Sequence, residues 1–290
     1  MKMKKFLALG LCAMMAVTTF VSCGSSDSGS GEGPTGDITV VSREEGSGTR
    51  GAFVELMGVM DEEENDITTQ NAEVTNSTSV MMQTVAGNDA AIGYVSLGSL
   101  SDDVKALKVD GVEATVDNVK SGDYKVARPF NIVKGKNVSE LAQDFEKYIM
   151  SEEGQATVAE EGYIREDNTE EYTASGLSGK ITLAGSTSVA PVMEVLAEGY
   201  KALNPDVEIE IQQTGSGAGI ESAIAGTCDL GMSSRALTED ELAQGLTVTE
   251  IATDGIAVIV NNNNTIEDLT TDIIGQIFKG EITTWDEVTK

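Results

Sequence analysis

The sequence predicts an α/β fold with mainly parallel sheets, on two observations. Short apolar runs of strand length alternate with segments of helical apolar spacing, from "DITVVS" (37–42) to "LTTDIIGQIF" (269–278). That alternation is expected when each helix carries the chain back to a neighbouring strand. Several junctions between a strand-like and a helix-like run are rich in glycine, serine and threonine, the residues that cap helices and form tight turns.

Residues 1–22 read as a lipoprotein export signal. Lys2, Lys4 and Lys5 give a positive start, Phe6 to Phe20 an apolar stretch, and "FVSC" ends at Cys23. The apolar stretch falls short of the roughly 20 residues a membrane span needs. Cys23 is therefore the expected lipidation site, although Phe20 stands where such signals usually carry leucine. Residues 23–36, "CGSSDSGSGEGPTG", form an expected flexible tether.

"DITVVS" begins the folded part as a strand, followed by a helix over about Gly48 to Met60. The acidic run Asp61 to Asp66 is a solvated loop without the spacing of an EF-hand. "AAIGYVS" (90–96) and "RPFNIV" (128–133) are strands, and residues 138–162 carry the spacing of two helices. "KITLAGS" (180–186) is a strand running into the helix "VAPVMEVLAEGYKAL". "NPDVEIEIQQ" stops that helix and starts a strand of alternating polarity. "GIESAIAG" reads as a short helix, "CDLGMSS" as a buried strand and "TEDELAQG" as a helix. "GIAVIV" (255–260) is an apolar strand, and "LTTDIIGQIF" an amphipathic helix.

Composition excludes several chemistries. The 290 residues hold 19 Lys+Arg against 48 Asp+Glu, a formal charge of −29. Such a balance disfavours nucleic acid and anionic membrane surfaces as partners. There is no histidine, which removes Ser-His-Asp and Cys-His catalysis and imidazole-built zinc sites. With Cys12 in the signal and Cys23 lipidated, Cys228 stands alone and reads as a structural thiol. No cofactor and no metal is expected.

Against this negative background, three loops suit an anion. "EEGSGTR" (44–50), "AGSTSVAP" (184–191) and "QTGSGAGI" (213–220) each place glycine with serine or threonine ahead of a helix-like run. A helix start offers unpaired N–H groups and partial positive charge, and hydroxyls add rotatable donors. None has the Walker A or dinucleotide-binding spacing, and the serine of "TGSGAG" has no histidine to act as its base.

These segments, with "ATDGIAVIVNNNN", "DIIGQIFKGEITTWDEV" and "AAIGYVSLG", resemble the substrate-binding lipoproteins of ABC phosphate importers. The resemblance implies a type II periplasmic-binding-protein fold, two α/β lobes joined by two crossover strands, with phosphate in the cleft. It further implies that Thr187 and Ser188 form the first phosphate loop, that Ser216 supplies the second, and that Ser47, Gly48 and Thr49 form the third. Arg43 is the implied arginine on phosphate, with Glu45 as its acidic partner. One position departs from the pattern: Ser234 stands where better-known members have an aspartate that accepts a phosphate proton, and Glu45 is the candidate to take that role. Arg50 and Arg235 are candidates for either ligand contact or structure. Asp254 reads as a turn cap and Trp285 as core.

The segments come in an unexpected order. In the family, "REEGSGTR" follows "IFKGEITTWDEV"; here it precedes every other motif. Circular permutation accounts for this, with the former ends joined through the polar stretch 165–180; a truncated tandem is the rival account. Permutation predicts one lobe from 37–125 plus 256–290, carrying the EEGSGTR loop. The other is continuous over 126–255, carrying the GSTSVAP and TGSGAG loops. The function implied is extracellular phosphate binding, without enzymatic chemistry, and delivery to an ABC permease by a lipid-anchored monomer. Rival functions are binding of sulfate, molybdate or tungstate, a secreted phosphatase using Ser47 or Ser216, and a sensor or adhesin.

Overall fold

The structure is a computed structural model describing residues 34–167 and 170–288. The expected signal, Cys23 and most of the tether lie outside the described residues. Within Gly33–Lys290, a single compact unit, the chain starts with strand β1 (Thr39–Arg43), helix α1 (Gly48–Leu56), strand β2 (Glu73–Thr75), helix α2 (Thr78–Ala86) and strand β3 (Ala91–Ser96). A 3-10 turn at Leu97–Ser99 leads through short strands β4 (Val104–Ala106) and β5 (Lys108–Val109) to helix α3 (Val116–Ser121). Strand β6 (Ala127–Lys134) is followed by helices α4 (Glu140–Ile149) and α5 (Glu152–Glu160) and strand β7 (Ile164–Arg165). Then come β8 (Gly179–Gly185), α6 (Ala190–Leu203), β9 (Val207–Gln213), α7 (Ser216–Ala225), β10 (Leu230–Ser233) and α8 (Glu239–Ala243). The long strand β11 (Thr247–Asn261), β12 (Asp268–Leu269), α9 (Thr271–Lys279) and α10 (Trp285–Val288) complete the order.

Helix starts follow local chemistry. Ser47, Ser77, Thr115, Ser139, Ser151, Thr238 and Thr270 each cap a helix by accepting a backbone N–H from the first turn, satisfying one donor the helix cannot satisfy itself. Helix α1 ends at Leu56 instead of the expected Met60, because Gly58 takes a positive φ of 60° and turns the chain.

Among the described residues, ten strands form one sheet, in the order β2-β1-β3-β11-β6-β10-β8-β9, with β4 and β7 also pairing with β11. The flanks are parallel: β1 with β2 and β3, and β8 with β9 and β10. The centre is antiparallel, where β11 pairs with β3 and β6, and β6 with β10. Strand β11 starts at Thr247, well before the expected Gly255. Its first half pairs with β6 and its second half with β3 and β4. Residues 247–254 mix Thr, Glu and Asp with Val248 and the buried Ile251 and Ala252, and these ladders order them. Asp254 thus sits inside a strand, not at a turn.

Apolar burial divides into two main clusters. One is built from residues between Val40 and Val126 together with Ile256 to Trp285; the other runs from Phe130 to Ala252. Trp285 is fully buried in the first, its indole Nε1 donating to the Ala90 carbonyl at 3.1 Å. In the second, Asp144 of α4 accepts hydroxyl protons from Tyr200, Tyr172 and Ser175, each at 2.7 Å. Tyr172 and Ser175 belong to the polar stretch 165–180, whose described part around them is held by these hydrogen bonds and by Tyr172 and Leu177 packed against the second cluster.

Candidate functional site

The candidate residues lie at the ends of strands and the starts of helices on both sides of the two clusters. Strand β1 ends at Arg43, and α1 begins four residues after Glu44 with Ser47 as its cap. The turn after β8 holds Ser186, Thr187 and Ser188, α7 begins at Ser216, and Ser234 follows β10. Ser47, Thr49, Thr187, Ser188, Ser216 and Ser234 are all buried, with Ser216 and Ser234 at 0% exposure.

Their hydroxyls converge. Thr49 Oγ1 lies 2.9 Å from Ser188 Oγ, linking the two clusters across 139 residues of sequence. Ser186 Oγ donates to Ser234 Oγ at 2.9 Å, and Ser234 Oγ lies 3.3 Å from Ser216 Oγ. Ser216 Oγ accepts the Ser234 N–H at 3.1 Å. The loops also touch through backbone, where Gly217 N–H donates to the Gly46 carbonyl at 3.0 Å. Gly48 faces Ser216 and Ser234 so closely that a Cβ there would fall 2.3 Å and 2.7 Å from their Oγ atoms. Gly215 has φ of 90°, a conformation that favours glycine, and this turn sends both Thr214 N–H and Gly215 N–H to the Gly185 carbonyl at 2.9 Å.

Arg43 is the cation of the cluster, with 2% exposure. Its Nη2 donates to Thr187 Oγ1 at 3.1 Å and to Glu44 Oε1 at 2.7 Å, and Nε donates to Glu44 Oε2 at 2.8 Å. The acidic partner is therefore Glu44, not the expected Glu45, which is exposed. A bidentate fork of this kind fixes guanidinium orientation as well as charge. Ser47 Oγ is engaged in capping, accepting from Arg50 N–H at 3.4 Å, so its acceptor capacity is partly spent inside its own helix.

The two other candidate arginines are held structurally. Arg50 donates from Nε to Asp66 Oδ2 at 2.6 Å and from Nη1 to the Arg43 carbonyl at 2.9 Å, steadying the backbone that presents Arg43. Arg235 forks onto Glu241 at 2.7 and 2.8 Å, at the capping box that starts α8.

A profile of the PBP superfamily domain matches residues 24–153 and 170–290. Over 297 residues, and all of both chains, the sequence is 49% identical to phosphate-binding protein PstS 2 of Streptococcus agalactiae. The chain belongs to the PBP superfamily, in the family of that phosphate-binding protein. A second superfamily relative, phosphate-binding protein PstS of Bacillus subtilis, is 33% identical over 113 residues, 38% of each chain. The crystal structure of a phosphate ABC transporter phosphate-binding protein from Streptococcus pneumoniae TIGR4 superposes with a TM-score of 0.70 at 47% identity, covering 87% of this chain and all of that one. The fold is thus the α/β, type II PBP-like arrangement. Among the described residues, no helix is long and apolar enough to cross a membrane.

In this PBP-superfamily chain, sequence reading passed over Thr78, the first residue of α2. It is buried, and its Oγ1 lies 3.3 Å from Thr187 Oγ1 and 3.2 Å from Ser188 Oγ. The signal was present: "TNSTS" places hydroxyls between β2 and α2, the same junction as the other loops but lacking their glycine.

Two buried groups nearby play other parts. Asp254 and Arg128 form a fully buried ion pair at 3.0 Å across β11 and β6, and Ser96 Oγ donates to Asp254 at 2.9 Å. Burial pushes the Asp254 carboxyl up and lowers Arg128, while the pairing opposes both shifts. Tyr94 OH lies 3.0 Å from Ser42 Oγ and accepts the Arg43 N–H at 3.2 Å; burial raises this phenol to about 12. Cys228 is half-buried, and burial followed by the neighbouring Asp229 pushes its thiol up to about 11, which fits a packed, unreactive thiol.

Proposed function

We infer that this chain is the phosphate-binding component of an ABC phosphate transporter, and that the buried hydroxyl cluster with Arg43 is its phosphate site. The observation that carries the site is the meeting of Arg43, Thr49, Thr187, Ser188, Ser216 and Ser234 from four separate junctions of the fold. In an environment shielded from water, each cross-loop hydroxyl bond can be exchanged for a bond to an oxyanion oxygen. Arg43 adds a charge-assisted bond, worth about 1.5–3 kcal/mol. Helix starts at Gly48, Thr78 and Ser216 contribute about 0.3–1 kcal/mol each. The protein binds and releases its ligand without catalysis.

We read the two apolar clusters as two lobes, 37–125 with 256–290 and 126–255, hinged where β6 and β11 pass between them. The cross-cluster bonds Thr49–Ser188 and Arg43–Thr187 are then the contacts that closure makes and opening breaks. The segment order is read as a circular permutation. In its support, residues 36–37 adjoin residues 284–286: Asp37 bridges Thr284, and Gly36 N–H donates to Asp286 Oδ2 at 3.0 Å. The restriction of the B. subtilis alignment to 38% of each chain, against end-to-end alignment with the S. agalactiae relative, also fits. Lipid attachment at Cys23, display outside the cell membrane, a monomeric state and delivery to a permease complete the proposal. Calorimetric titration of the full chain with inorganic phosphate tests it; saturable one-to-one binding is expected. Absence of heat and of any shift in melting temperature at millimolar phosphate would remove the proposed function.

A further inference from the structure

The buried ion pair Arg128–Asp254 lies where β6 and β11 pass between the two apolar clusters. Its residues face each other across the two strands, beside the pair Ala127–Gly255, within a few residues of the lobe boundaries read above. From the first cluster's side, Ser96 at the end of β3 donates to Asp254 Oδ1 at 2.9 Å. From the second, Tyr163 reaches in just ahead of β7, its ring centroid 5.2 Å from that of Phe130. Phe130 in turn has the Arg128 guanidinium 5.3 Å from its centroid. Tyr163 also packs on the turn after β3, so closely that a Cβ at Gly98 would fall 2.3 Å from its Cζ and 2.7 Å from its hydroxyl oxygen. Strand β3 runs parallel to β1. The turn that follows it therefore lies at the same end of the sheet as Arg43, on the side where the hydroxyl loops meet.

This junction has more donors than acceptors. Asp254 Oδ2 accepts from Arg128 Nε at 3.2 Å and Nη2 at 3.0 Å, and Oδ1 is engaged by Ser96. Among the described residues, Arg128 Nη1, Tyr163 OH and Ser99 Oγ are buried atoms with no hydrogen-bond partner. The hydroxyls of Ser96 and Ser99 face the Tyr163 phenol, yet neither meets it with hydrogen-bond geometry. Burial, then the charge of Asp254, pushes this phenol up to about 12, so it keeps its proton at physiological pH and needs an acceptor. A buried polar group without a partner carries a desolvation penalty that a bond would otherwise offset. Three such groups at one crossing place that penalty on the conformation that brings the lobes together. Separation of the lobes on the Arg43 side draws the 97–99 turn away from Tyr163 and gives these groups access to water.

We propose that the unpartnered groups of this crossing bias the hinge toward the open form, so that the empty protein stays open and phosphate drives closure. Tyr163 and Ser99 then set the affinity without touching the ligand. This inference rests on the phosphate-binding and two-lobe readings above. Where the closed form is the minority in the empty protein, the measured dissociation constant is that of the closed form divided by its fraction. Relieving the closed form of an unpartnered group therefore tightens binding. The test is calorimetric titration of the full chain with sodium phosphate, for the unaltered protein, Tyr163→Phe and Ser99→Ala, with small-angle X-ray scattering of each without ligand. Tyr163→Phe deletes the hydroxyl and keeps the ring against Gly98 and Phe130. It is expected to bind phosphate at least about fivefold more tightly, about 1 kcal/mol, and to show a smaller radius of gyration when empty. Ser99→Ala is expected to act in the same direction. A hydroxyl with only a structural role would shift the melting temperature and leave the affinity as it was. Affinity equal to or weaker than the unaltered chain's in Tyr163→Phe overturns the inference and leaves the phosphate reading standing, since the phenol then finds a partner in the closed form as well. Should Tyr163→Phe not fold, Ser99→Ala decides by the same criterion. Failure of the unaltered chain to bind phosphate overturns the phosphate reading and this inference with it.

Discussion

Replacing Arg43 with alanine is the most direct perturbation of the proposed site. The three bonds of Arg43 use Nε and both Nη2 protons, two on Glu44 and one on Thr187, and leave the Nη1 protons for a ligand oxygen. Loss of one charge-assisted bond costs about 1.5–3 kcal/mol, which weakens phosphate binding by about ten- to 150-fold. The variant also frees Glu44, whose side chain is 27% exposed, to face the incoming anion with its charge unpaired. The double variant R43A/E44Q removes that repulsion. It should bind phosphate more tightly than R43A and less tightly than the unaltered chain, a non-additivity expected of contacting residues. Isothermal titration calorimetry with phosphate, at low and physiological salt, reads all three affinities. An R43A dissociation constant equal to that of the unaltered chain, in a protein with unchanged circular dichroism, would refute the reasoning. Equal affinities for R43A and R43A/E44Q would refute the part assigned to Glu44.

Further expectations follow from contacts elsewhere in the structure. Gly48→Ala puts a methyl group 2.3 Å from Ser216 Oγ; phosphate binding should fall by at least about tenfold, roughly 1.4 kcal/mol, with little change in folding stability by urea titration. Thr78→Val keeps the shape and deletes the hydroxyl that contacts Thr187 and Ser188; a loss of about 0.5–1.5 kcal/mol in phosphate affinity, read by calorimetry, is expected. Burial opposes the charge on Asp144, yet the hydroxyls of Tyr172, Tyr200 and Ser175 together hold its carboxyl below the usual value. A carboxyl depressed on folding stabilises the protein above its unfolded pKa, about 3.9, and loses that contribution as pH falls through the folded value. Asp144→Asn should therefore lower the melting temperature near neutral pH and flatten its decline below pH about 4, as thermal melts across that range will reveal.

Much of the α/β order was legible because apolar spacing is a local property of the chain. "KITLAGS" and the helix after it, and the paired helices of 138–162, appear close to their expected bounds. What failed to show was structure ordered from outside. The first half of β11 sets Thr, Glu and Asp among the buried Ile251 and Ala252, a mixed pattern that only pairing with β6 orders as strand. Helix α2 was missed because its capping serine and buried Thr78 lack the glycine that marked the other loops. Glu44 and Glu45 are chemically equivalent in sequence; only the direction in which the chain leaves β1 puts Glu44 on the guanidinium and Glu45 in solvent.

The sequence alone determined the absence of imidazole chemistry, the negative charge, the alternation of strands and helices, and a set of hydroxyl-rich junctions. Each of these depends on composition or on neighbours within a few residues. Tertiary structure decided which hydroxyls come together, which acid holds Arg43, and that Ser186, Ser234 and Ser216 are neighbours. Those outcomes depend on distances between segments as far apart as Thr49 and Ser188, and a hydrogen bond exists only within about 3.5 Å and with its donor aimed at its acceptor.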